Sequence, residues 1–427
     1  MSDTSTAAID AGATTFETIA VVGAGVVGLC TALQAQRKGY RVTLIDHDAP
    51  GKGASLGNAG YLATELIDPL SSGKTLRGAL AMLLDPHGPL ALPLGYLHRS
   101  LPWLLRFVAA ARPSQVERSR VGLRQLNRAA LPAWQRCLAD IGASEQLCNS
   151  GYLLVWESAA RLADAKAHAR YLQQWGVRCE LIDATRLAQL EPALVGTLSH
   201  ALYFPDASRM REPYQLCRLL FAAFEARGGR FVQQAVEGVT ADTQQVRLKT
   251  SDATLRFDQA VICAGAWSKA LLQDTGIEVP LEAERGYHIS MDSPVVSLGR
   301  PIGSAERRFV ISPLDSGLRA VGFTELGGLR LKPIARRFTT LRRHSQALVP
   351  ALADPVLSCR EWMGHRPTLP DSLPVIDRHP RHDRLLFAFG NQHLGLTQAA
   401  ISAELVVDLM AGTTPTIDPQ PYRVDRF

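Results

Sequence analysis

Residues 17–48 read ETIAVVGAGVVGLCTALQAQRKGYRVTLIDHD, and this run decides the fold. Residues 19–22 are a short, wholly apolar run of the kind that forms a buried parallel strand, and 42–45 are a second. Between them, glycines at 23, 25 and 28 match GxGxxG and open a helix predicted to end near Lys38. Gly23 permits the tight turn, Gly25 lets backbone approach a pyrophosphate, and Gly28 lets helix and strand pack closely, with Val27 in the same segment. Asp46 ends the second strand 18 residues after Gly28, where a carboxylate can accept hydrogen bonds from a ribose. His47, just beyond, is expected along the adenosine rather than in catalysis. GxGxxG alone is a weak signal, but strand, turn, helix, strand and terminal acid in order predict a Rossmann-like dinucleotide site. The motif does not tell a nicotinamide from a flavin.

At 427 residues the chain is too long for one ordinary core, so two domains are expected. An apolar fraction of 46% and a charged fraction of 20% are those of a soluble globular protein. The most apolar stretch, SLPWLLRFVAAARP (100–113), is interrupted by Pro102, Arg106 and Pro113, and spanning needs roughly 18–20 clean residues. It reads as an apolar helix with basic flanks, packed on its own domain or lying peripherally on a membrane. The seven cysteines include no CxxC pair, which suits neither a zinc site nor a disulfide frame and points to a reducing compartment. The histidines lack ligand spacing, so no metal is expected. The tail 1–16 has no basic start or apolar core; it is read as disordered, not as a signal peptide. The net charge is +6, and residues 283–354 alone hold eleven Arg/Lys against six Asp/Glu. That excess is either an electropositive cap over a site for small anions or a solvated surface. No aromatic-interleaved basic motif for nucleic acid accompanies it.

Further along, 151–156 (GYLLVW) is strand-like, and 212–232 repeats the helix, glycine stop and strand order. Residues 255–271 hold a buried strand running into Gly265. Residues 283–354 alternate as strands, with little helix before 336. The last unit, 385–412, is a strand, a glycine-bearing loop and a long helix opening near Leu396–Thr397.

Together these pieces resemble the flavin-dependent D-amino acid oxidase superfamily, and within it the bacterial D-amino acid dehydrogenases, from about residue 18 to 412. VVGAGVVGL with Asp46 resembles the FAD-binding opening, and GASLGNAG (53–60) the run that passes beneath the flavin ring. VICAGAWS (261–268), ERGYHI (284–289), WMGHRPTLPDSLPVID (362–377) and GNQHLGLT (390–397) match the family's later segments in order. Asn391 stands where many relatives have histidine, and His288 where many have serine. No cysteine falls at 364–366, so FAD is expected to be non-covalent.

The resemblance implies an α/β fold: a glutathione-reductase-type FAD domain from 17–90, 205–282 and 355–427, and an α+β substrate domain on a mainly antiparallel sheet from 91–204 and 283–354. It implies cofactor contacts from Gly23, Gly25, Val27, Gly28, Asp46 and His47, then Ser55, Asn58, Ala59 and Gly60. Val236, Ala264, Gly265, Trp267 and Gly364 follow, then Gly390, His393, Leu394, Gly395, Leu396 and Thr397. Arg366 falls at the family's carboxylate-binding position, with a structural pair to Asp371 or Asp377 as the alternative. Its planar fork suits a carboxylate, and Pro367 stiffens the chain beside it. Tyr287 would add a hydroxyl or merely pack; Arg285 would favour an anionic reduced ring or be solvated. His288 lies on the opposite face of the same strand by alternation. His393 would touch flavin or substrate, or be an unpartnered loop histidine. The implied reaction is oxidation of a D-amino acid to a 2-oxo acid and ammonia, with electrons passed to a quinone or other acceptor in the cytoplasm or on the inner membrane face. Oxidation of a cyclic D-imino acid, of glycine or sarcosine, or service as the flavin subunit of an electron-transfer complex are the alternatives.

Overall fold

The computed structural model describes residues 17–427 apart from 195, 197 and 355; the tail 1–16 read as disordered lies outside the described residues. The opening motif forms as expected, with strand Thr18–Val22, helix Val26–Arg37 and strand Arg41–Asp46. These strands start a six-stranded sheet in the order Arg230–Gln233, Arg41–Asp46, Thr18–Val22, Gln259–Ile262, His382–Phe389, Val375–His379. Its neighbours pair in parallel until the last strand, which is antiparallel. Buried parallel strands need both faces covered. Helices Val26–Arg37, Pro213–Ala226, Pro113–Asp140 and Gly395–Ala411 share one core with the sheet's inner residues. The last helix is apolar and long enough to cross a membrane, but 78% of its apolar window is buried here as a core helix.

The second sheet has nine strands and is mainly antiparallel. Its site-bearing part is Cys359–Thr368 beside Glu282–Met291 beside Gly317–Leu326. Two assignments by sequence differ from this arrangement. Strand Cys359–Thr368, grouped with the FAD domain, is the edge of the second sheet, because it pairs along its whole length with Glu282–Met291. Helix Pro113–Asp140, grouped with the substrate domain, packs in the first core, where Trp134 Nε1 donates to Leu396 O at 2.8 Å.

Several cations of 283–354 are paired internally, while Arg308 lines the cavity described below. Arg285 pairs with Glu325, Arg307 with Glu157 and Arg319 with Glu212, and Arg337 donates to Gly88 O over the Phe323 ring. Much of the excess is internal pairing.

Candidate active site

A cavity of about 1380 Å³, larger than the roughly 300–1,000 Å³ of an ordinary ligand pocket, is walled by both large sheets. At one end the glycine turn does what its spacing predicts. A Cβ on Gly23 would meet Cys263 O at 2.4 Å, and one on Gly28 would meet Gly23 O at 1.8 Å, so both are filled by backbone. Gly25 faces only Ser55 Oγ at 3.5 Å, leaving its backbone open to the cavity. Ser55 Oγ also accepts from Val26 N at 3.0 Å, at the start of the helix. Asp46 accepts from Ala24 N at 2.6 Å and from Asp48 N at 3.0 Å, while His47 lies 5.9 Å from Trp267, ring to ring. Val236, Ala264 and Gly265 continue this wall. Gly265 and Gly395, like Gly25, bring bare backbone to the cavity with no atom near a notional Cβ. An elongated dinucleotide fits such a cradle: bare backbone from three parts of the chain, and a helix N-terminus for its phosphates.

Segment 53–60 is held against the second sheet. Arg319 Nη1 donates to Leu56 O at 3.0 Å and to Asn58 O at 2.7 Å. His288 Nδ1 donates to Gly57 O at 3.0 Å, which leaves Nε2 without the proton. The His288 ring stacks on Trp362 at 4.9 Å, and that indole occupies the space a Cβ at Gly57 or Gly364 would fill. Burial first, then the charge of Arg319, pushes the His288 pKa down to about 3, so its imidazole is neutral.

Arg366 lies directly across from Glu284 in the strand register. Its Nη1 donates to Glu284 Oε1 at 2.8 Å and to Phe323 O at 2.9 Å. The other lone pairs of Glu284 are engaged by Thr324 and Thr368, both at 3.0 Å. Phe323 sits at φ 65° where the pairing of Glu282–Met291 with Gly317–Leu326 slips by one residue. That bulge turns its carbonyl to the guanidinium, a local strain kept at the site. The Arg366 plane lies over Gly286, where a Cβ would approach Cζ to 2.4 Å. Nε and Nη2, the second edge of the fork, make no hydrogen bond among the described residues, and the side chain lines the cavity. Asp371 instead pairs with Arg426, and Asp377 accepts from Val424 N. The exposed surface of His393 lines the same cavity, where burial and then the Arg366 charge lower its pKa to about 4.

Other expected residues lie elsewhere. Arg285 does not reach the cavity; it pairs with Glu325 and donates to Leu331 O and Lys332 O on the opposite face of the strand. Tyr287 touches the cavity wall, but its hydroxyl turns away to donate to Glu325 Oε2 at 2.8 Å. Gly28, Gly60, Leu394 and Thr397 are not wall residues, and Thr397 Oγ1 accepts from Ala63 N at 3.0 Å. Asn391 directs its amide into the core, to Gln398 and Ser402, while Asn58 caps its own turn through Gly60 N. Sequence reading missed Glu284, Trp362, Thr368 and Glu65. Alternation back from His288 through Gly286 was the available signal for Glu284; nothing marked Glu65.

These elements define an FAD-dependent oxidoreductase, and the chain belongs to the family described as DAO, FAD dependent oxidoreductase, whose model matches residues 18–409. It is 33% identical over 416 residues to the D-amino-acid oxidase of Bradyrhizobium diazoefficiens, covering 96% of this chain and 98% of that one. It is 32% identical to D-amino acid dehydrogenase 2 of Ralstonia nicotianae, over 96% of this chain and 100% of the other. Among solved structures, glycine oxidase from Geobacillus kaustophilus superposes with a TM-score of 0.75 at 21% identity, over 96% of this chain and 99% of that chain.

Proposed function

We propose that the protein oxidatively deaminates D-amino acids to 2-oxo acids and ammonia. The observation that carries this is the braced Arg366, with one edge fixed by Glu284 and Phe323 O and the other free along the cavity wall. Two charge-assisted hydrogen bonds from that edge would hold a substrate carboxylate at a set angle. When bound, FAD would supply the two-electron oxidant for the α-carbon that Arg366 positions. His288 and His393, both held neutral, add no positive charge against a substrate amine and are weak bases; loss of the ammonium proton is left to solvent. FAD is taken as non-covalent: Cys263 is the cysteine on the cavity wall among the described residues, and burial raises its thiol to about 12, away from the reactive thiolate. Anaerobic bleaching of the flavin by a panel of D- and L-amino acids tests the reading. Bleaching by D-amino acids is expected; bleaching by L-amino acids or glycine alone would overturn it.

For the electron acceptor, the reading is a lipid-dissolved quinone reached from an anionic membrane surface on the cytoplasmic side. Helices Gly73–Leu84 and Leu97–Ala110 and their link expose Leu80, Leu84, Leu94, Leu101 and Leu105 to the outside. Residues 69–112 carry five Lys/Arg against one Asp. The same helices turn Met82, Leu104 and Phe107 into the cavity. An exposed apolar face on a segment of net positive charge matches an anionic lipid surface. Flotation with phosphatidylglycerol vesicles but not phosphatidylcholine vesicles, lost in Leu101→Asp/Leu105→Asp, is expected. No flotation with either lipid would refute the contact.

A further inference from the structure

The cavity wall also carries charged groups that carboxylate binding does not use, Arg308 and Glu65 among them. Glu65 lies there with 8% of its surface exposed. Its Oε2 is buried beside the hydroxyl of Tyr61, and neither atom has a hydrogen-bond partner other than that near neighbour. Tyr61 stacks on Tyr152 at 4.3 Å, and both rings face the same space. No cation pairs with Glu65 among the described residues. Burial therefore raises its carboxyl to about 7, offset in part by Tyr61. A carboxyl left this way is costly unless something is to be bound there.

The backbone on either side is fixed. Ala63 N donates to Thr397 Oγ1 at 3.0 Å, and Leu66 O accepts from Asn127 Nδ2 at 2.5 Å. Asn127 is itself held by Gln398, and Gln398 by Asn391, so a buried chain of amides sets the position of the loop. The cavity that Glu65 and Arg366 share is also lined by apolar side chains. Leu66 and Leu70 follow Glu65 in the chain, and Trp103 donates to Thr368 O at 3.2 Å beside the Glu284–Arg366 pair.

We propose that Glu65 is a specificity-determining residue that receives the far end of the substrate side chain, selecting D-amino acids with an aliphatic stem that ends in a cation. Arg366 takes the carboxylate, the leucines and Trp103 enclose the stem, and Glu65 with Tyr61 meets the terminal ammonium or guanidinium. This inference rests on the D-amino acid reading above.

The test compares D-lysine with D-norleucine, which keeps the stem and lacks the cation, as reductants of the holoenzyme flavin without oxygen. Wild type is expected to favour D-lysine in kcat/KM by about 10- to 100-fold, the range of one buried charge-assisted contact. Glu65→Gln should lose that preference, mainly through the apparent Kd for D-lysine, and keep its rate with D-norleucine. Tyr61→Phe, which leaves the carboxyl in place, should lose part of it, and it carries the test if Glu65→Gln does not fold. Bleaching by D-norleucine with no advantage for D-lysine overturns this inference alone. An advantage that survives Glu65→Gln, or Tyr61→Phe where that variant carries the test, also overturns it. Bleaching by neither amino acid overturns this inference, and the parent reading falls with it only if the rest of the D-amino acid panel fails to bleach the flavin as well.

Discussion

Replacing Arg366 by lysine separates the two edges of its guanidinium. The inner edge is a single nitrogen, Nη1, shared by Glu284 and Phe323 O. A lysine ammonium can take that position, so the Glu284 side chain, 2% exposed, keeps a cation beside it. Folding stability should therefore change by less than about 1 kcal/mol. The outer edge has no substitute, because lysine has no planar fork. Two charge-assisted hydrogen bonds to the substrate carboxylate, at roughly 1.5–3 kcal/mol each, then disappear. A combined loss of about 3–6 kcal/mol lowers kcat/KM by about 10²–10⁴-fold, at roughly 1.4 kcal/mol per factor of ten. Arg366→Ala differs in kind: it also strands a buried carboxylate, at about 3–5 kcal/mol of stability. The assay is anaerobic rapid mixing of each holoenzyme with a D-amino acid, following flavin absorbance, with FAD content and thermal unfolding measured on the same samples. An Arg366→Lys enzyme with KM and kcat within threefold of wild type would falsify the clamp.

Gly25→Ala should fold with apo-protein stability near wild type but bind FAD weakly in a fluorescence titration, because its Cβ meets only Ser55 Oγ at 3.5 Å. Gly28→Ala should unfold at lower denaturant, since its Cβ would stand 1.8 Å from Gly23 O. Gly286→Ala should keep FAD and lose most turnover, by displacing the Arg366 plane that covers it. His288 gives a pH signature. Its folded pKa of about 3 lies below the unfolded value of about 6.5, so its contribution to stability is intact above that value and falls as pH drops toward 3. Arg319 and Arg360 press in the same direction. Between pH 7 and pH 5 wild type should lose about 2 kcal/mol more than His288→Asn in urea unfolding; equal losses would refute a neutral buried imidazole.

The opening strand–turn–helix was legible because its glycines are demanded by a positive φ at Gly23, by the close approach of helix and turn at Gly28, and by a cofactor's approach at Gly25, and such demands leave a spaced pattern. Arg366 was legible for a related reason, since proline beside arginine marks an extended, stiff segment. What pairs with it was not. Glu284 is 82 residues away, and strand register across that distance is set by tertiary packing. Alternation put Arg285 and Tyr287 on one face correctly, but it does not say which face looks into a cavity. Glu325, the partner that draws both side chains the other way, lies on the neighbouring strand. Nothing in a phenylalanine announces φ 65°, so the bulge that aims Phe323 O was invisible as well.

The indole of Trp362 and the two glycines around it have an evolutionary consequence. A side chain at 57 or 364 has no room while the ring is there, and a smaller residue at 362 would leave a hole under the His288 ring. Single substitutions at any of the three are thus handicapped in isolation, whereas paired exchanges that conserve volume are tolerated. Across relatives, positions 57, 362 and 364 should drift as one covarying set, and the imidazole at 288 should be retained only in lineages that keep a flat aromatic surface for it to lie on.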